Sequence, residues 1–457
     1  MRKKSLFFGG FIFLMLALVI FTGRFTSVSA AEKASKDINL KKEIEVTGSY
    51  ANWDGTCNVS QFVNGSGKLC LATDEGDYVF IYETVKNKVK LKLKLKKVFP
   101  LFGAAVGDED GFYYVMTGYE NEDLSQKVNT VNIAKYDKKG TLVASVYDDG
   151  SSSLASYYNN GFYTRLPFDA GNCSIAVNGD YLAVNYGRSM YSGHQSNSVF
   201  MINRKNMTEV YPGSIYNSHS FAQRIIPFGT GFASVSEGDC YPRAFSLSVT
   251  SPQNSLSKTY DLFHFWVKKG SLDRWDMYAV NNNFAHMGNI VNLKDKYVAL
   301  VGTSVKSLNE KAEKQKEQIF IQIFNPEKNA DSASAYVTKG TRKGLSGGNG
   351  DENVTDYGVK WLTSYSSAYS IGNTTAVADT DGNTVVLYEL YKNNAYKGVY
   401  MIVVDIKGNV ITKKTVFSKK ACLTQNVPPI CVDKTVYWFG NRYGTDDEKI
   451  YLYSLKY

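Results

Sequence analysis

Histidine is scarce, with four residues in 457, and none of them forms an H-E-x-x-H pair, which excludes the helical zinc-hydrolase motif. None of the six cysteines is part of a C-x-x-C pair, so the common redox and zinc-ribbon spacings are missing too. There is no P-loop to cradle nucleotide phosphates. Beyond the first 30 residues no apolar run is long enough to cross a bilayer. Strong charge is also lacking. The formal net charge of +9 falls to +5 once Arg2, Lys3, Lys4 and Arg24 are set aside. That is mild for such a chain, and nucleic acid is not an expected partner.

Those four basic residues belong to a leader. Arg2, Lys3 and Lys4 precede an apolar stretch, 6–21, of about 16 residues, and Val28-Ser29-Ala30 supplies small residues where a signal peptidase reads. The apolar stretch is short for a spanning helix. The expected organisation is a signal peptide over 1–30, cleavage after Ala30, and one domain over 31–457. Such a chain would be secreted or held at the cell surface, with no membrane insertion after cleavage. Cys57, Cys70, Cys173, Cys240, Cys422 and Cys431 all lie beyond the leader, so disulfides are permitted in an oxidising compartment. Cys422 with Cys431 is the expected pair, and Cys173 with Cys240 the next.

What fills the mature chain is repetition. Residues 172–210 read as two successive hairpins, and the same unit recurs about seven times. Asn178-Gly179 predicts a type I′ turn within this stretch. The strand at 89–97 alternates strictly, with Val89, Leu91, Leu93 and Leu95 on one face and lysines on the other. It reads as an outer strand guarded against edge pairing. A contact of Lys90, Lys92, Lys94 and Lys96 with an anionic wall polymer is the functional alternative. The segment 379–383, DTDGN, fits a hairpin turn better than a calcium loop, because an EF-hand needs flanking helices and a terminal Glu. In the fifth unit the fourth strand is expected near 333–338, and 339–364 is expected to be a long surface excursion. The last unit has only three strands, and the lone strand at 41–48 can supply the fourth.

Four-stranded units in this order resemble the secreted seven-bladed β-propellers across the whole mature chain. The resemblance implies an all-β ring closed by the N-terminal strand and a monomer. It lies in strand order and turn chemistry, without the S-x-D-x-G-x-T-W box of sialidases.

With the strands of each unit named a to d from the axis outward, the a–b and c–d turns share one rim. The b–c loops and d–a crossovers share the other. Most of the long connections fall in the second group, at 118–128, 187–197, 237–242, 304–318, 339–364 and 391–397. One face is therefore plain and the other elaborated, and function belongs on the elaborated one. Arg188, Tyr191, His194, Gln195 and Asn197 fall in one of its loops, and Asp239 and Arg243 flank the next. His219, Gln223 and Arg224 fall in one crossover, and His286 and Asn289 in the following one. These are the candidate ligand-binding residues, suited to a sugar or acidic ligand. No cofactor is required by the sequence, though His194, His219 and His286 offer nitrogen ligands to a divalent metal.

The expected function is binding of a glycan, peptide or surface protein by this face. Propeller-type polysaccharide lyases are similar in placing His, Tyr, Arg and Gln there. That likeness implies a proton-abstracting His or Tyr (His194, His219, His286, Tyr191), with Arg188 neutralising a uronate carboxylate.

Overall fold

The computed structural model describes residues 35–39, 59–85, 88–122, 128–150, 163–169, 171–190, 193–210, 217–238, 244–264, 285–306, 315–346, 352–415, 420–444 and 449–457. Its strands are β1 (Ser35–Asn39), then β2 (Val59–Val63), β3 (Leu69–Glu75), β4 (Tyr78–Val85) and β5 (Lys88–Lys96) in a first sheet. The second sheet holds β6 (Leu101–Gly107), β7 (Tyr113–Gly118), β8 (Val131–Tyr136) and β9 (Leu142–Asp148). The third holds β10 (Thr164–Pro167), β11 (Cys173–Asn178), β12 (Tyr181–Met190), β13 (Gln195–Asn203) and β14 (Thr208–Glu209). The fourth comprises β15 (Ser220–Phe228), β16 (Gly231–Gly238), β17 (Ala244–Ser251) and β18 (Asn254–His264).

In the fifth, β19 (His286–Leu293), β20 (Tyr297–Ser304) and β21 (Gln318–Phe324) are followed by a separate hairpin, β22 (Thr341–Ser346) and β23 (Glu352–Tyr357), before β24 (Lys360–Trp361) completes the sheet. The sixth holds β25 (Tyr369–Ala378), β26 (Thr384–Lys392), β27 (Ala395–Val404) and β28 (Val410–Thr415). The last has β29 (Ile430–Val432), β30 (Thr435–Gly440) and β31 (Lys449–Lys456), with β1 paired antiparallel to β31. The expected closing strand at 41–48 lies outside the described residues, and the strand paired with β31 is Ser35–Asn39.

Innermost strands touch in cyclic order: β2 meets β6, then β11, β15, β19, β25 and β29 follow, and β29 meets β2 again. This is a seven-bladed β-propeller. Each sheet spends both faces on its neighbours, so the core is a set of inter-blade layers. β21 shows the logic, because period-two alternation splits it between two layers. Ile319, Ile321 and Ile323 pack toward blade six with Val386, Tyr388 and Ile402. Phe320 and Phe324 pack toward blade four with Phe245, Leu247 and Phe263. Burial on both faces also explains why β7, β8, β16 and β21 are buried at every residue.

Five turns use one local solution, at 64–68, 108–112, 137–141, 379–383 and 405–409. The first residue, Asp or Asn, donates its N–H to the fifth residue's carbonyl, and the glycine at the fourth place donates to the first residue's carbonyl. The first side chain accepts the fifth N–H. The glycines sit at φ between +71° and +85°, where a Cβ would be strained. The 379–383 segment is thus a hairpin turn, as expected.

Several expectations shift. The third blade's turn has Gly179 and Asp180 at its centre, with Asn178 facing Tyr181, and only Gly179 has positive φ, at 54°. That is type II′, one residue later than the I′ reading. Residues 391–397 are no long loop: Asn393 and Asn394, at φ 50° and 62°, turn β26 directly into β27. Likewise β12 continues to Met190 and β13 resumes at Gln195, so little of 187–197 is loop. In the fifth blade 333–335 is a 3-10 turn, and Lys360 and Trp361 pair with β21 instead. The excursion therefore leaves as a c–d connection, from the plain rim.

Cys422 and Cys431 are both free thiols. Cys431 lies opposite Val436, whereas Cys422 bonds to Asn441 through its backbone N–H. Those partners are five residues apart along β30, roughly 16 Å at ~3.3 Å per residue, beyond disulfide reach. Cys173 is also a free thiol, and Cys240 lies outside the described residues.

The β22–β23 hairpin is fastened to blade four by a buried carboxylate. Asp356 accepts from His264 Nδ1 at 2.6 Å and from Arg342 Nε and Nη2 at 3.0 and 2.6 Å. The His264 backbone N–H also reaches it at 3.2 Å. Arg342 lies over the Phe263 ring, with Cζ 3.6 Å from the centroid.

Candidate functional site

A polar cleft of about 430 Å³ opens beside the axis on the elaborated rim. Its walls come from the starts of β19 and β25, the ends of β20 and β26, and the segment 423–426 that leads into β29. The backbone is prepared for it by bulges. β19 loses register between Met287 and Asn289, and β25 between Ile371 and Thr374. Bulges re-aim side chains and free ladder groups. The freed N–H of Asn373 donates to Glu389 Oε2 at 3.3 Å, and Leu423 N donates to Glu389 Oε1 at 2.9 Å. A Cβ on Gly372 would stand 2.8 Å from that Oε2, so the close approach depends on glycine.

Arg224 defines one side of the cleft. Its Nη1 donates to the Gln223 carbonyl at 2.8 Å and to Asn172 Oδ1 at 3.2 Å, while Nη2 reaches Asn426 Oδ1 at 2.7 Å. Blades four and seven stand three apart in the ring, so this last bond runs across the axial channel. The same cleft holds two carboxyl groups, Glu317 and Glu389. Burial pushes Glu317 up, against the pull of His286 and a 3.2 Å bond from Thr303 Oγ1. Burial likewise raises Glu389, against its two backbone donors. The Tyr391 hydroxyl is pushed to about 12 by burial and by the charge on Glu389. Hydroxyl and amide groups of Thr374, Thr375, Thr424 and Gln425 complete the lining.

The candidates from the sequence are dispersed. Arg224 and His286 line the cleft. His194 and His219 form a separate exposed pair, Nδ1 to Nε2 3.1 Å apart. The separation of ring centroids, 5.4 Å, fits rings meeting edge to edge through that contact. A register effect brings them together, since Ser196 bridges Ser218 and His219 N donates to the Gln195 carbonyl at 2.7 Å. The Gln195 amide donates to the Gly193 carbonyl.

Arg188 is fully buried in β12, where it donates to Ser196 Oγ and Thr164 Oγ1 at 2.9 Å and to the Gly150 carbonyl. Asn197 accepts the Asn217 N–H, and Asn289 donates to the Ala376 carbonyl. Gln223 is locked reciprocally to Asn172, taking its N–H at 3.0 Å and giving its own at 2.8 Å. Asn197, Asn289 and Gln223 thus satisfy backbone groups where one blade meets the next, while Arg188 ties together strands of its own blade. Tyr191, Asp239 and Arg243 lie outside the described residues.

Among the described residues no three His, Cys, Asp or Glu side chains gather tightly enough to hold a metal ion. Residues 344–348 spell G-x-S-x-G, yet Ser346 ends a hairpin strand, not the strand-to-helix elbow that exposes a nucleophile.

No family model matches the sequence. No curated protein matches it either. Among solved structures it is similar to a chain of the mitotic checkpoint complex at 9% identity, over 93% of this chain and 95% of that one, with a TM-score of 0.43. The N-terminal domain of Nup159 is similar at 8% identity, over 94% and 97%, with a TM-score of 0.42. Trypanosoma rangeli sialidase in complex with the inhibitor DANA is similar at 9% identity, over 80% and 59%, with a TM-score of 0.37. Likeness this remote carries nothing about activity, and the propeller rests on strand pairing.

Glu317, Glu389, Thr374 and Tyr391 were not singled out from sequence. One signal was available: Glu389 is the lone carboxylate in the apolar strand TVVLYELYK, at the end facing the elaborated rim.

Proposed function

We propose that this chain is an exported propeller that binds a neutral saccharide in the axial cleft. The observation that carries this reading is the cleft's lining. Hydroxyls and primary amides that both give and take hydrogen bonds, and carboxyl groups that take them, share the lining with a small apolar patch of Met287, Ile371 and Leu423. Sugar hydroxyls need such mixed partners, and a pyranose C–H face suits the patch. The volume lies in the range of small-ligand sites. An anionic uronate would meet Glu317 and Glu389, which weighs against the lyase alternative. Export rests on the leader pattern in residues 1–30.

The test is a glycan array carrying neutral and uronate saccharides, probed with residues 31–457 and with the Glu317→Gln variant. Retention of neutral saccharides by the wild type, weakened in the variant, is the expected result. Binding to no saccharide, or only to uronates, would overturn the reading.

A further inference from the structure

Tyr391 on the cleft wall is the first of three clustered tyrosines. Tyr396 meets it edge-on at 5.1 Å, and Tyr443 meets it edge-on at 6.4 Å. Tyr396 and Tyr443 stack with centroids 4.2 Å apart and planes 19° from parallel. Tyr396 is buried, and its hydroxyl donates to the Ala421 carbonyl, so its plane is fixed. Tyr443 is 42% exposed. Its backbone N–H is tied to the Lys420 carbonyl at 2.6 Å, and one ring face is backed by the stacked Tyr396 ring while the residue stays partly open to solvent.

A flat aromatic surface pre-set by a buried partner loses little entropy on binding. It also suits the apolar face of a sugar ring, because aromatic rings join a large hydrophobic surface to a polar edge. Tyr443 is contiguous with the cleft through Tyr391, at a spacing comparable to one sugar unit. We propose that Tyr443 is the platform for a second sugar ring, so that cleft and platform together recognise a neutral oligosaccharide and not a monosaccharide. This rests on the saccharide reading above and extends it.

Two length series serve as probes in calorimetric titrations of residues 31–457: glucose, cellobiose and cellohexaose, and N-acetylglucosamine, chitobiose and chitohexaose. In at least one series the longer sugars are expected to bind about ten-fold more tightly than the single ring. Tyr443→Ala should erase that gain while leaving monosaccharide affinity unchanged, and Tyr443→Phe should keep it. Equal affinity at all lengths would overturn the platform and leave the cleft reading intact. Equal loss for short and long sugars in Tyr443→Ala would mean a merely structural role and would also overturn it. Absence of binding in both series and on the array would remove both proposals. Thermal melts of the variants, expected within a few degrees of wild type given the exposed site, keep a folding defect distinguishable.

Discussion

Removing the Asp356 carboxylate should release the β22–β23 hairpin from blade four while the ring stays folded. Asp356 is 1% exposed, and Arg342 beside it is 5% exposed. Breaking a buried pair by deleting one partner costs about 3–5 kcal/mol, since the other charge is left uncompensated. At the lower figure the hairpin's opening equilibrium grows by roughly 150-fold. Hydrogen–deuterium exchange of peptides covering 341–357 reads this directly in Asp356→Ala, with blade-six peptides as the internal reference. Replacing both partners, Asp356→Leu with Arg342→Met, should damage docking less than the single change. The pH dependence has a definite sign. Burial pulls His264 down, but the hydrogen bond and charge of Asp356 overturn this and raise it above its ordinary 6.5. Burial would raise Asp356, but the Arg342 charge and the His264 hydrogen bond hold it below its ordinary 3.8. The His264 contribution is complete below 6.5 and fades as pH climbs through its raised value. The Asp356 contribution is complete above 3.8 and fades as pH falls through its depressed value. Asp261, itself raised by burial, adds to the negative side facing His264. Protection should therefore peak between about pH 4 and 6.5. Exchange within three-fold of wild type in Asp356→Ala, or protection that rises steadily to pH 9, would refute the reasoning.

Three further outcomes follow from the fold. Arg204 is buried between blades two and three against Asp108, 2.6 Å away, with Asp110 at 2.7 Å. Arg204→Met should lose about 3–5 kcal/mol in urea unfolding, and adding Asp108→Leu should recover part of it. Gly140→Ala, at φ 85°, should cost about 1–2 kcal/mol by the same measurement, while Gly140→Asn costs less. Alkylation of denatured, unreduced protein should label both Cys422 and Cys431 in peptide mass spectrometry; a linked peptide pair would contradict the free thiols.

Much of the ring could be read from sequence because its signals are local. The Asp or Asn that opens each five-residue turn and the glycine three places on are contiguous, and alternation marks a strand such as β5 within nine residues. What escaped depends on distant partners. Lys360 and Trp361 form a strand only because β21, nearly 40 positions earlier, offers an open edge. Arg188 and Gln223 look like ligand groups in sequence, yet Arg188 is committed to Thr164 and Ser196 on the strands flanking β12, and Gln223 to Asn172 of the neighbouring blade. The cleft residues share this difficulty. Glu317 comes from the connection before β21, Glu389 from β26 and Asn426 from the segment leading into β29, and only the ring brings them within one pocket.

The Arg224–Asn426 bond also has a mechanical meaning. A propeller's axial channel is ordinarily a hole, and a hole lets opposite walls breathe independently. A strut from blade four to blade seven turns part of the ring into a braced arch, so pressure at one wall is felt at the far one. The cleft shares that strut as part of its wall. Whatever enters it would load a beam that reaches across the whole diameter.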